Sequence, residues 1–171
     1  LKTITTAGGA TAFGHKAARL STVNICAIGA EAAKNNSTGA NNTALGNYSL
    51  LENTTGGANV AVGHEALKSN TTGSYNVAMG RASLDANTTG GNNTCVGSFT
   101  LGLNTTGTAN TAMGYAALTN NSTASNNTAF GFVALEDNTT GTENIATGGY
   151  ALTSNTTGNY NSAFGYAALG A

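Results

Sequence analysis

The feature that most constrains this chain is a period. A glycine closes the pattern Asn-x-Ala-z-Gly, with z usually large and apolar, at Gly46, Gly63, Gly80, Gly97, Gly114, Gly131, Gly148 and Gly165, a step of seventeen residues each time. The full unit reads N-[TVIS]-A-z-G-x-x-[AST]-L-x-x-N-T-T-G-x-x. Self-similarity at a fixed period is the mark of a repeat architecture, in which each unit buries its apolar side only against its neighbours. Gly29 precedes Gly46 by the same step, whereas Gly14 precedes Gly29 by only fifteen. The chain therefore divides into irregular first coils over 1–35 and regular repeats over 36–169, within a single repeat domain spanning 1–171.

The unit is too short for a helix pair, whose repeats run to about 33 residues or more. Thr, Val and Ile beside Gly disfavour helix, and "NTTG" supplies the Asn and Gly that turn a chain at low steric cost. The expected fold is all-β: a parallel β-solenoid, or β-roll, of about ten coils. Stacked at about 4.8 Å, like strands of a sheet, ten coils make a rod of roughly 50 Å.

The pleat can be read from the columns. Thr43, Val60, Val77, Thr111, Thr128 and Ile145 share a strand face with Leu45, Val62, Met79, Met113, Phe130 and Phe164; the other face carries Ala44, Ala61, Ala78, Ala112, Ala129, Ala146 and Ala163 and then the glycine. A leucine recurs after the bend, from Leu50 to Leu169. The expectation is that this leucine and the large face fill the coil, and that the Ala/Gly face admits another backbone. Both strand faces then read as buried, which calls for several chains side by side, three around an axis. A flattened single-chain roll is the alternative.

Two asparagine columns run through the repeats: Asn42, Asn59, Asn76, Asn93, Asn110, Asn127, Asn144, Asn161, and Asn36, Asn53, Asn70, Asn87, Asn104, Asn121, Asn138, Asn155. Both suit turn residues whose amides bond along the axis. The second column also heads Asn-x-Ser/Thr sequons, so it is a candidate glycosylation edge if the chain is secreted through a glycosylating route.

Little else points to chemistry. His15 and His64 each follow a repeat glycine, three coils apart, and read as solvated turn residues. Asp85 and Asp137 are equally far apart. No His–Asp pair stands ready to activate a hydroxyl, and neither G-x-x-x-x-G-K nor G-x-G-x-x-G occurs. We expect no catalytic residue, cofactor or metal, and so no enzyme. Cys95 occupies the alanine column four coils from Cys26, about 19 Å by sheet spacing, too far for a disulfide. The least repetitive positions follow each glycine. There Tyr48, His64, Phe99, Tyr115, Phe132, Tyr150 and Tyr166 form a candidate edge, facing either a ligand such as a cell-surface glycan or a neighbouring chain.

At these residues a resemblance becomes specific. "NTAMGYAALTNNSTASNNTAFGFVAL" and "NSAFGYAAL" are similar to the arrays of phage tail-fibre and tail-fibre-like proteins, and the Asn-x-Ala-z-Gly core resembles the head repeats of trimeric autotransporter adhesins. The resemblance covers residues 36–169. It implies a left-handed roll assembled as a trimer or fibre, and a structural or adhesive role outside the cell, at a cell surface or on a virion. The adhesin repeat is shorter, and the resemblance extends to the repeats alone.

Composition narrows the partners. Only 8% of residues are charged and the net charge is −1, so nothing attracts nucleic acid or an anionic membrane. No apolar run approaches the ~20 residues of a membrane-spanning helix, and no signal peptide is visible. The chain opens on Leu1 and reads as processed or partial. "ITTAGGATAFG" from Ile4 is in phase with the repeat, and neither end shows a polar cap, so exposed strand edges are expected there. The expected partner is a copy of the same chain, in a lateral oligomer or a head-to-tail filament. The readings that follow are a fibre shaft or adhesin head, a self-stacking extracellular fibril subunit carrying glycans at its NTT turns, and an ice-binding solenoid suggested by the threonines.

Overall fold

A computed structural model describes residues 9–170. The start of the "ITTAGGATAFG" segment lies outside these residues. The fold is an all-β parallel solenoid with one short strand per coil: β1 (Thr11–Phe13), β2 (Ile25–Ile28), β3 (Asn42–Leu45), β4 (Val60–Val62), β5 (Val77–Met79), β6 (Thr94–Val96), β7 (Thr111–Met113), β8 (Thr128–Phe130), β9 (Ile145–Thr147) and β10 (Ser162–Phe164). They form one sheet in sequence order. Homologous residues pair: Ala61 lies beside Ala78, Ala78 beside Cys95, and Cys95 beside Ala112.

Each coil templates the next through its backbone. Thr94 donates to the Asn110 carbonyl at 2.8 Å, Phe99 to Arg81 at 2.9 Å, and Leu101 to Ala117 at 2.9 Å. At the NTT turn, the amides of Thr88, Thr89 and Gly90 all reach the Thr105 carbonyl of the next coil, joined by the Thr88 hydroxyl at 3.0 Å. Few backbone groups need water, which is how so thin a rod satisfies its polar main chain.

The interior corrects the expected strand faces. The alanine column is inside and the large apolar column is outside. Ala44, Ala61, Ala78, Cys95, Ala112, Ala129 and Ala146 are fully buried, while Phe13, Ile28, Met79, Met113 and Phe164 are among the exposed hydrophobics. The reason is parity. The strand asparagine is buried, and strand side chains alternate, so the alanine two residues on must also point inward. The coil is also narrow: Leu50, Leu67, Leu84, Leu101, Leu118 and Leu135 reach across the lumen with no exposure, leaving room opposite for only a small side chain, alanine or the one cysteine. The leucines are inside, as expected.

The repeat glycine is required by position. Gly97 has φ of +136°, and a Cβ there would lie 2.2 Å from the Gly114 carbonyl oxygen. The close approach is thus between coils of one chain. The two NTT threonines sit in a turn rather than on opposite faces of a strand. Cys26 faces outward beside Thr43, and both cysteines are free thiols.

The irregular first coils differ in ways that end the ladders. Ile25 stands in register with Asn42, Ser21 accepts from the Asn36 amide at 3.2 Å, and alanines (Ala18, Ala33) hold the leucine place. Among the described residues no helix is long and apolar enough to cross a membrane.

Candidate functional site

Both asparagine columns are interior ladders. The Asn70 amide donates to Asn53 Oδ1 at 2.8 Å, Asn87 to Asn70 at 2.7 Å, and Asn104 to Asn87 at 2.9 Å, each also donating to a glycine carbonyl in its own turn. In the other column the oxygen of each asparagine accepts the backbone amide of the next, as Asn93 to Asn76 at 3.0 Å, while its nitrogen donates to a carbonyl in the following coil's turn, as Asn93 to Gly107 and Asn110 to Ala124, both at 2.9 Å.

This overturns the glycan edge. Asn36, Asn53, Asn70, Asn87, Asn104, Asn121 and Asn138 are fully buried, and Nδ2, the atom a glycan would occupy, is spent on hydrogen bonds. Asn155 is half-buried near the last coil and makes the same two bonds. The sequon pattern arises because a ladder asparagine happens to precede two turn threonines.

Those threonines divide by role. The first hydroxyl bonds the next coil's carbonyl, as Thr54 to Thr71 at 3.0 Å and Thr71 to Thr88 at 3.0 Å, and serine replaces it at Ser37 and Ser122. The second is threonine in all eight copies, from Thr38 to Thr157, and is exposed in each.

The variable edge stacks in two runs. Ring centroids lie 5.8 Å apart for Tyr48–His64, 5.9 Å for Phe99–Tyr115, 5.4 Å for Tyr115–Phe132 and Phe132–Tyr150, and 5.6 Å for Tyr150–Tyr166. Between the two runs, Arg81 lies 5.2 Å over the Phe99 ring. Tyr115 and Phe132 are nearly parallel, 14° apart, so each turns a face to the other instead of offering it outward. Such pairs contribute about 0.5–1.5 kcal/mol beyond area burial. The predicted edge residues thus come together in space, packed on one another.

Towards the N-terminal side the same edge is ionic. Lys34 and Lys16 pair with Glu31 at 3.1 and 3.6 Å, and Lys68 with Glu65 at 2.7 Å, with His64 Nδ1 3.4 Å from Glu65. The Lys68 ammonium holds the Glu65 carboxyl below its ordinary range, as Lys34 does Glu31. Asp85 is shifted the other way, upward, by burial. Among the described residues no three His, Cys, Asp or Glu side chains cluster as metal ligands.

The surface that sequence reasoning misplaced is the outward face of the sheet. Its two columns run through all ten strands and hold no charged residue. Thr43, Val60 and Thr94 are half-buried in one column, and Met79, Met113 and Phe164 exposed in the other. Compared with known proteins, the chain matches no family, no curated protein and no solved structure.

Proposed function

We propose that this chain is a non-enzymatic structural module, a shaft or head segment of a fibre on a virion or cell surface, and that it works by packing copies of itself side by side along the outward face of the sheet. The observation that carries this reading is that face: a continuous uncharged strip, mostly apolar with threonines and one serine among its residues, on a rod whose interior is already filled. Isolated exposed apolar residues need no explanation, whereas a contiguous strip marks an interaction surface. Ten strands at about 4.8 Å, each about 10 Å of outward strand, give a flat footprint near 500 Å² per copy. Two copies together therefore bury about 1,000 Å², the lower bound for a specific interface.

Sedimentation velocity tests the reading. The wild-type chain is expected to sediment as a discrete oligomer, three copies about an axis being the expectation from the repeat. A Met79→Lys/Met113→Lys variant should sediment as a folded monomer, since a lysine buried at the centre of the strip must be desolvated. A wild-type monomer at high concentration would refute it.

A second reading is an extracellular fibril subunit, favoured by the coil-on-coil templating of the backbone. Negative-stain images separate the two, by short discrete rods or by open-ended filaments. The exposed threonine column supports a minor reading as an ice-binding solenoid, which thermal hysteresis would reveal.

A further inference from the structure

We infer that the outward face also encodes the axial alignment of its partner, a second copy of this chain lying parallel and level with it, and that the pair Ile145 and Thr147 is the key. The inference rests on the side-by-side packing proposed above. The interior columns are uniform, nearly all Ala, Leu or Asn, so nothing inside the rod distinguishes one coil from the next. A smooth partner face could then slip by whole coils at the cost of only the overhanging end coil. The outward face is not smooth. In most coils the first outward residue is small and the second large, as Thr111 with Met113 and Thr128 with Phe130. In β9 the order is inverted: Ile145 comes first and Thr147 second. The face therefore varies in size while remaining uncharged throughout.

A rotation axis along the rod turns one strand direction against the other. It sets the first outward column of one copy on the second column of its partner. Level copies then meet large on small in these coils, β9 included, where the partner's Ile145 faces Thr147. A slip of one coil destroys this: Phe130 meets Ile145, two large groups, and Thr147 meets Ser162, two small ones. Overpacking and a void are both penalised in a close-packed interface.

The test uses single cysteines on a Cys26→Ser/Cys95→Ala background, with disulfide formation read between differently tagged chains. Thr111→Cys in one chain should couple to Met113→Cys in the other, and not to Met79→Cys or Val96→Cys. Converting β9 to the common order, by Ile145→Thr with Thr147→Phe, should leave sedimentation unchanged while slipped couplings appear. If the wild-type chains associate but couple in slipped or antiparallel positions, or if the β9 variant keeps a single alignment, the inference is overturned and side-by-side packing stands. If the wild-type chains sediment as monomers, side-by-side packing falls and the inference with it.

Discussion

Asn87 shows how much one side chain contributes here. Its amide donates to Asn70 and to the Gly90 carbonyl, and its oxygen accepts from Asn104. Asn87→Ala strands the Asn70 oxygen and one Asn104 N–H inside the rod, each a loss of about 1–3 kcal/mol. We expect a fall of about 2–6 kcal/mol in unfolding free energy by urea titration, against under ~0.5 kcal/mol for exposed Thr89→Ala. Gly97→Ala should cost at least about 2 kcal/mol in the same assay, since it adds a steric clash to a strained positive φ. Asp85→Asn should act in the opposite direction. Burial raises the folded carboxyl's affinity for its proton, so the stabilising contribution of Asp85 is present at acid pH and is lost as pH rises through the folded value. The variant should thus melt higher than wild type at neutral pH, with the gain vanishing below the ordinary carboxylate range. At this scale the ladders were legible, because identical asparagines at a fixed step must stack. Their burial was not: "NTT" reads equally as a surface turn, and only the closed coil places Nδ2 inside.

The strand and its following bend are where the sequence misled. Alternation shows that Ala and the large residue lie on opposite faces, but not which face is inside. Apolar size suggested the wrong answer. The signal that resolves it is the asparagine two residues before each alanine, whose ladder ties that parity to the interior. Ala112→Leu should therefore cost about 1–3 kcal/mol by overpacking, although it is a conservative change on the surface reading. The bend held a second surprise. Each regular coil places three non-glycine residues at positive φ, for instance Tyr75, Ala82 and Leu84 at 62°, 50° and 55°. A leucine there costs roughly 1–2 kcal/mol. Burial of its side chain contributes about 1.5–3 kcal/mol, which offsets the strain. No propensity scale identifies such a leucine, because the strain is sustained by stacking that only the assembled coils provide.

For the whole molecule, the period alone sufficed to specify ten stacked strands, and in-register pairing of like residues follows from it. What the molecule does depends on which columns it shows to its surroundings. The sequon edge is inside, and the aromatic edge, though most of its rings stay exposed, is stacked along itself, so the uncharged sheet face is the outward surface whose side chains have no such contacts with one another. The central claim is thus the inside-out assignment of the strand, and thiol reactivity across β6 tests it most directly. In a Met79→Lys/Met113→Lys chain lacking Cys26, the variant expected not to associate, a single thiol is placed at 94, 95 (the native Cys95) or 96, with alanine at 95 in the other two. The account predicts rapid labelling at 94 and 96, and at 95 only when the chain unfolds. Rapid labelling of folded Cys95, with protection at 94 and 96, would contradict it.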